Sequence, residues 1–458
     1  MANNNTAEKP RRKLKISHIL IALLIIIVAG FALFRLSLKS KLRAKLDAIS
    51  AAGYPVTCAE LDDWYAIPES AENAAYTFTD SFSYYRKWEK EKRKLLPIIG
   101  EAELPLRTEP LAEDTKVLIA EYLADNQQAL ELLHKGAAIE HCRYPVDLSK
   151  GFAVLLPDLS DIRTGAKLLQ LEAALHADNA EAELAARSIT SSFGLARSLS
   201  KEPILVSQLV RIACQALAVS ALEHAINKTE FTDEQLVNLS RTLANAEDLS
   251  GMTRAFAGER CAGVSIFKAP ASNIVTLLDE TGNRPLPLGV LAISLYRFAG
   301  LADMDAIMYV NLMEGYIEAA QLPPHKRQSA SDAVVAKIGT IPKIHILLRM
   351  IMPALGRVTT IDVRVIAQLR TARVGFAIER YRLASGRLPD ALSELVPAYL
   401  EAVPKDPFDD KELRYKKLDT GFVVYSIGED GNDDGGKERP RKRPRPSGPA
   451  DVTFIIQR

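Results

Sequence analysis

Four aspartates near the C-terminus are the residues whose types and spacing most clearly allow chemistry. Asp430, Asp433 and Asp434 occupy one short acidic segment that also contains glycine and asparagine, and Asp451 follows a basic insertion. Alternating oxygen ligands around a glycine turn are typical of the first half of an EF-hand calcium loop. The second half is absent, because Arg441 stands where such a loop places its bidentate glutamate. The residues therefore leave two alternatives open, a calcium site and a solvated acidic turn.

Two other combinations of reactive residues occur, and neither has the spacing of an established catalytic motif. Ser198 and Lys201 form a lone Ser-x-x-Lys pattern, and His141 is followed directly by Cys142. The first pattern arises readily by chance, and adjacent residues seldom converge on one atom. The sequence contains no glycine-rich phosphate loop, no HExxH and no GxSxG motif. It therefore assigns no catalytic residue and no organic cofactor, and we predict no enzymatic activity.

The composition is that of a folded protein without a strong overall charge. Hydrophobic residues make up 48% and charged residues 25% of the chain, and the formal net charge is +1. Near neutrality disfavours nucleic acid as a partner, because its phosphates are held by a basic field. The cysteines do not have the spacing of metal ligands. They are therefore predicted to be buried free thiols or, if the body is exported, to form disulfide bonds. They are Cys58, Cys142, Cys214 and Cys261.

The elements that position these residues begin with an apolar N-terminal segment. A basic tail, 1–15, precedes an uncharged run over 16–34, which as a helix spans roughly 28 Å, close to the ~30 Å hydrocarbon core of a bilayer. We predict a transmembrane helix over 16–35, with the lipid bilayer as its partner. A cleaved signal peptide is the alternative, disfavoured by the length of the run and by the lack of a small-x-small site. Equal numbers of basic residues flank the run, so charge alone leaves the orientation undecided.

Helical periodicity dominates the next three hundred or so residues. The span is predicted to continue as an amphipathic stalk with linker helices over 36–100. An irregular helical array, similar to an α-solenoid, follows over 101–360, because long apolar-periodic segments are separated by short polar breaks. The clearest predicted helices are 163–176, 181–199 and 204–227.

Three further local patterns place helices in this region. Thr57 with Glu60, and Thr232 with Gln235, predict capping boxes at two helix starts. The apolar segment 341–355 is interrupted by charges and a proline, so it is predicted to be a buried helix and not a second membrane span.

The last hundred residues, 361–458, change from helical to strand periodicity. A helix over 361–384 is predicted to end at Gly386, and Leu388-Pro389 opens a short second helix. Strands are predicted at 413–415, 422–425 and 452–456. The mainly α chain is therefore predicted to end in a small α+β domain.

Several short sequence motifs follow one another along this domain. They are Gly386-Arg387-Leu388-Pro389, Tyr399-Leu400, Val403-Pro404-Lys405-Asp406-Pro407-Phe408, Tyr425-Ser426-Ile427-Gly428-Glu429-Asp430-Gly431, Gly435-Gly436 and Asp451-Val452. With them, the C-terminal region resembles the C-terminal domain of the type II secretion major pseudopilin. The whole chain resembles large single-span proteins of planctomycete-type bacteria that carry this module. It departs from a processed pilus subunit, because Gly30-Phe31 lies at the end of the span and not before it.

The resemblance implies calcium binding after the Ser-x-Gly strand. Asp430 corresponds directly to a calcium ligand of the family. Asp433, Asp434 and Asp451 correspond only approximately, because this chain inserts a basic loop over 437–449. That loop has the composition to touch anionic lipid, polyphosphate or nucleic acid, although a solvated loop is the favoured alternative.

Taken together, these features predict a single-pass protein of the inner (cytoplasmic) membrane with a periplasmic or otherwise extracytoplasmic body. The leading functional hypothesis is an envelope scaffold or interaction protein with a protein partner. An accessory component of a type II secretion or pilus-like machine is the second hypothesis, and a membrane-tethered hydrolase is the third.

Overall fold

The computed structural model describes residues 16–68, 70–278, 287–352, 355–438 and 451–457. The predicted basic tail and all but the start of the predicted basic loop therefore lie outside the described residues. The described chain is mainly α-helical and carries a small antiparallel sheet near the C-terminus, which confirms the predicted fold class at this level.

The helices are, in chain order, α1 (Ile16–Ala51), α2 (Cys58–Trp64), α3 (Ala74–Ser83), α4 (Lys90–Lys94), α5 (Glu113–Asp125), α6 (Gln127–Ala138), α7 (Leu159–Asp178), α8 (Ala182–Arg197), α9 (Leu205–Lys228), α10 (Asp233–Ala246), α11 (Gly251–Lys268), α12 (Ala271–Leu278), α13 (Pro287–Phe298), α14 (Leu301–Gln321), α15 (Pro324–Gly339), α16 (Ile346–Ile351) and α17 (Gly356–Ser385). Short 3-10 helices lie at Leu148–Ala153 and Leu392–Leu395. The strands β1 (Arg414–Leu418), β2 (Gly421–Ser426) and β3 (Val452–Gln457) form an antiparallel sheet in that order.

Helix α1 begins as an exposed apolar helix. Its most apolar 18-residue window has a mean hydropathy of 2.9 and is 0% buried, as in a membrane anchor or a signal sequence. The second half behaves differently, because Leu38 and Ile49 are buried in the body of the protein. Gly53, with φ of 83°, follows the end of the helix in a backbone conformation that favours glycine. Helix α9 also has the length and hydropathy of a span, but 67% of its apolar window is buried, as in a core helix.

The predicted helix starts are observed with one difference in hydrogen bonding. The Thr232 Oγ1 accepts the Gln235 N–H at 3.2 Å, and the Gln235 side chain accepts the Thr232 N–H at 2.9 Å, so this capping box is complete. Thr57 Oγ1 likewise accepts the Glu60 N–H at 3.1 Å. The Glu60 carboxylate instead accepts the N–H of Val56, at 2.8 Å. Each cap stabilises its helix by about 1 kcal/mol.

The predicted array helices correspond to α7, α8 and α9. Among the described residues between 36 and 360 there is no β-strand, and the β-bridges that occur there, such as that of Asn73 with His141, are isolated. The prediction of a buried helix over 341–355 is wrong in extent, because α16 covers only Ile346–Ile351. It is right only in part on burial, because Leu347 and Leu348 are buried whereas Ile346 and Met350 are about half exposed. At the start of α16, the buried Asp305 carboxylate accepts the N–H of Leu348 in the first turn at 3.0 Å and contacts Nδ1 of His345, the residue before the helix, at 2.6 Å. These bonds fix the start of the helix.

The C-terminal sheet shares a hydrophobic core with the helical array. Residues of α7, α8, α9 and α10 form one buried cluster with residues of α17, β2 and β3. Helix α17 passes close to the sheet at Gly375, where an added Cβ would lie 2.6 Å from Phe454 Cδ1. The predicted boundary between 360 and 361 falls inside α17. Residues 361–458 share their hydrophobic core with residues of α7, α8, α9 and α10.

One edge of the sheet is covered by side chains of α9. Glu223 Oε1 accepts the Ile455 N–H at 3.0 Å, and Asn227 Nδ2 donates to the Ile455 carbonyl at 2.9 Å. Asn227 Oδ1 also accepts the Gln457 N–H at 2.7 Å. The two side chains thus satisfy backbone groups of β3 that a further strand would otherwise bind.

Candidate functional site

The four predicted calcium ligands lie in or beside the turn that follows β2, but they differ in surroundings. Asp451 is 1% exposed, and its carboxylate accepts backbone N–H groups from Gly436 at 2.8 Å and from Asp434 at 3.4 Å. Burial and the neighbouring carboxylates of Asp434 and Asp433 raise the pKa of Asp451 despite these hydrogen bonds. Asp430 is exposed and accepts the N–H of Asn432 at 3.1 Å, within its own turn.

A guanidinium already neutralises part of this acidic region. Arg414 of β1 contacts Asp406 at 2.6 Å and Asp409 at 2.5 Å, and its Nε lies 3.7 Å from the Asp433 carboxylate. Within the part of the chain that the structure describes, no group of three or more His, Cys, Asp or Glu residues is placed to hold a metal ion. Calcium binding by the four aspartates stays a prediction from the resemblance.

Calcium titration of the full chain separates the two alternatives. The resemblance predicts that ~1 mM calcium stabilises the fold by roughly 0.4 to 1.4 kcal/mol, for dissociation constants of 10⁻⁴ to 10⁻³ M. Asp430→Ala should abolish this stabilisation, and Asp419→Ala, at an exposed aspartate in the β1–β2 turn, should preserve it. If the turn is instead a solvated acidic turn neutralised by Arg414, calcium should not change the melting temperature. An equal rise with magnesium, or in both variants, would indicate ionic strength.

Asp406 has a structural role that the sequence pattern did not reveal. Its carboxylate accepts the Ser426 hydroxyl at 2.7 Å and the N–H groups of Ile427 and Phe408 at 3.0 and 2.9 Å, in addition to the Arg414 contact. The side chain is 1% exposed. An aspartate that binds a backbone N–H two residues ahead is a common turn signal, but its bond to the distant Ser426 depends on the folded sheet.

The two reactive combinations noted in the sequence do not form sites. Ser198 is buried and donates to the Leu195 carbonyl at 2.7 Å, whereas Lys201 is exposed. Cys142 is buried, and burial is the main cause that raises its pKa to about 12. All four cysteines are free and buried, which agrees with the alternative of unpaired thiols.

A hydrogen-bonded Ser-His-Glu arrangement joins three helices of the array. His134 of α6 places Nδ1 2.8 Å from Ser191 Oγ of α8, and Nε2 3.0 Å from the Glu172 carboxylate of α7. The Ser188 hydroxyl donates to the same carboxylate at 2.7 Å. Burial alone would raise the pKa of Glu172, but hydrogen bonds from His134 and Ser188 lower it below the usual value. We refer to Ser191, His134 and Glu172 as the relay.

Ser191 and His134 of the relay line a cavity of about 420 Å³. Its wall includes further polar side chains able to donate hydrogen bonds, namely Arg187, Thr190, Gln235 and Asn238. A histidine held by a carboxylate can act as a general base towards a serine hydroxyl, which is the arrangement of serine hydrolases. Sequence reasoning missed this group because its three members lie on three different helices at no motif spacing.

A cleft of about 590 Å³ lies where α10, α15 and α17 meet the segment after the Leu392–Leu395 helix. Arg370 binds Glu247 through Nε at 3.0 Å and the Lys405 carbonyl through Nη1 at 2.8 Å. Arg373 approaches the same glutamate only to 3.9 Å, and its Nε has no hydrogen-bond partner among the described residues. The lining also includes the acidic side chains of Glu401, Asp406 and Asp410, so the cleft carries no excess of positive charge.

Comparisons with protein-family models, with curated proteins and with solved structures gave no significant match to this chain. The similarity to the pseudopilin domain therefore rests on the C-terminal motifs alone.

Proposed function

We propose that this chain is a single-span protein of the cytoplasmic membrane whose helix α1 stays attached and holds a helical scaffold outside the cytoplasm. The observation that carries the proposal is the continuity of α1. Its exposed apolar half and its packed half form one helix, Ile16–Ala51, without a break.

The packed half of α1 is part of the hydrophobic core. Ile49 belongs to a buried cluster with residues of α11 and α14. Just after the apolar run, the Arg35 guanidinium lies 2.7 Å from the Asp303 carboxylate at the start of α14. A signal peptidase acts on an accessible site directly after the apolar segment. Here that region is helical and bound to the body, which favours an anchor over a removable signal sequence.

The proposed orientation follows from the size of the body. Long domains translocate largely regardless of the charge that flanks the first span. A secretion-machine accessory remains the alternative that the C-terminal resemblance suggests.

The anchor is tested by following both ends of the full chain in cells. With epitope tags before residue 1 and after residue 458, we expect both tags to stay on one polypeptide that resists alkaline carbonate extraction. Protease added to spheroplasts should digest the body. Phe34→Ala supplies a small residue two positions after Ala32 and is a positive control for cleavage. Loss of the N-terminal tag from the wild-type protein would contradict the anchor, and a body protected until the membrane is opened would reverse the orientation.

The relay favours a second candidate function, a membrane-tethered serine hydrolase. In the proposed reaction, Ser191 Oγ attacks the carbonyl carbon of an ester or amide, and its proton passes to His134 Nδ1. The proton then leaves with the alcohol or amine as the carbon–oxygen or carbon–nitrogen bond breaks, and water hydrolyses the acyl-serine. Glu172 stabilises the imidazolium through Nε2–H.

A fluorophosphonate probe tests this candidate without a known substrate, because it forms a phosphorus–oxygen bond with an activated serine and releases fluoride. We expect labelling of Ser191 in the full chain, its loss in Ser191→Ala, and a rate reduced by a factor of about 10² or more in His134→Ala. Ser188→Ala is the matched control, since it removes another hydroxyl bound to Glu172 and should retain the label. Mass spectrometry should locate the label on Ser191. If the wild-type protein is not labelled, or is labelled at another residue, the relay serves only to pack the three helices together.

A further inference from the structure

Helix α13 carries an apolar stripe that no described part of the protein covers. Leu288, Leu291, Leu295 and Phe298 are 80%, 57%, 59% and 70% exposed. Their spacing of three and four residues places all four side chains on one face of the helix. A contiguous exposed apolar surface of this kind marks a binding surface in a folded protein.

The opposite face of α13 is fixed to the body, so the stripe cannot turn inward. The Tyr296 hydroxyl donates to the Asp305 carboxylate at 2.8 Å and lies 2.9 Å from the Ile344 carbonyl. Arg297 donates to the Phe267 carbonyl at 3.1 Å, at the end of α11. These bonds hold the stripe outward.

The stripe lies beside the apolar half of α1. The Phe298 ring packs on the Phe31 ring, with centroids 5.3 Å apart. Gly300, two residues further on, contacts Arg35 so closely that an added Cβ would lie 2.8 Å from its Nη1. The exposed surfaces of α13 and α1 are therefore continuous at the end of the apolar run.

A second group of apolar side chains extends this surface. Ile344, Ile346 and Met350 are about half exposed and flank the turn that binds Tyr296. Lys343 and Arg349 border them and are also exposed. Apolar side chains bordered by cations are typical of elements that lie in the interface of a membrane with anionic lipids.

We infer that the surface formed by 288–298 of α13 and 344–350 lies in the bilayer interface next to the span, with its apolar side chains among the acyl chains. This inference rests on the proposed anchoring of α1. If α1 spans the membrane, the lipid that surrounds Phe31 also contacts Phe298, because the two rings pack together. The body is then held by two contacts, a span and an interfacial patch, and cannot rotate freely about the stalk.

The test uses the full chain reconstituted in vesicles of phosphatidylcholine with phosphatidylglycerol. Single cysteines are introduced as Leu291→Cys and Leu295→Cys and labelled with an environment-sensitive fluorophore. Leu24→Cys is the control within the span, and Leu155→Cys, at a leucine that is 81% exposed between the Leu148–Ala153 helix and α7, is the control in water. The native thiols are buried, and burial raises their pKa, so unsubstituted protein gives the labelling baseline.

We expect blue-shifted emission at 291 and 295 and at least twofold stronger quenching by nitroxide-labelled lipid than at 155. Quenching at 24 without quenching at 291 and 295 would overturn the interfacial patch and leave the anchor intact. No quenching at 24 would overturn the anchor itself. Shielding of 291 that depends on protein concentration, without lipid quenching, would assign the stripe to a second copy of the chain.

Discussion

Arg327→Met is expected to destabilise the protein by about 3 to 5 kcal/mol, because it leaves a buried carboxylate without its counter-charge. Arg327 Nη1 lies 2.9 Å from the Asp362 carboxylate, and the two side chains are only 3% and 2% exposed. The same guanidinium also donates to the carbonyls of Leu322 and Leu249, both at 2.9 Å. Urea denaturation of the full chain in detergent micelles would measure the loss.

The pH dependence of this loss has a definite sign. Burial raises the pKa of Asp362, and Arg327 opposes that rise. Without the arginine, the folded-state pKa should lie further above the unfolded value, so the variant binds a proton more readily when folded. Its stability should therefore fall as the pH rises between those two pKa values, and the loss should be smaller near the unfolded pKa of about 4 than at pH 7.

Two variants control for effects other than the lost charge. Arg357→Met, at an exposed arginine of the same helix as Asp362, should change the free energy of unfolding by no more than about 0.5 kcal/mol. Adding Asp362→Asn to Arg327→Met should cost less than the sum of the single changes. If the free-energy losses of the two single variants simply add in the double variant, the ion pair is not the source of the effect.

Phe454→Ala is expected to cost about 3 to 5 kcal/mol, since it removes a fully buried ring. Phe454 is 1% exposed, and its centroid lies 6.1 Å from that of Phe376 in an edge-to-face arrangement. Because its cluster also contains residues of α7 to α10, the loss should appear in the helical circular dichroism signal as one shifted transition.

The position of the transition distinguishes one cooperative core from two independent units. Phe152→Ala, at a ring that is 46% exposed, serves as the control and should shift the transition much less. An early transition confined to the C-terminal strands, followed by unchanged melting of the helices, would mean that the shared cluster does not couple the two regions.

The elements that the sequence predicts well are those encoded by local signals. The end of α17 at Gly386 and the start of α10 at Thr232 each depend on residues within one helical turn. The strands of the small sheet likewise follow from a period of two over a few residues. Helix α16 is shorter than predicted because its start is fixed by Asp305, which lies far away in the sequence.

The candidate sites depend on contacts between distant residues. The acidic turn at Asp430 is visible in the sequence, but the guanidinium beside it comes from a strand that precedes it. The relay needs α6, α7 and α8 to pack before Ser191 meets His134. The apolar stripe of α13 is likewise ordinary in composition, and only its exposure beside Phe31 distinguishes it from a core helix face.

The covering of β3 by Glu223 and Asn227 limits how copies of this protein can aggregate. If α1 anchors the protein as proposed, copies are concentrated in the plane of the membrane, where open sheet edges could join strand to strand into fibres. One edge is closed by α9, and the other, β1, is five residues long and carries the exposed Lys416 beside Lys417, which pairs with Asp390. Like charges on two such edges repel each other, so a crowded population should stay free of intermolecular β-sheet.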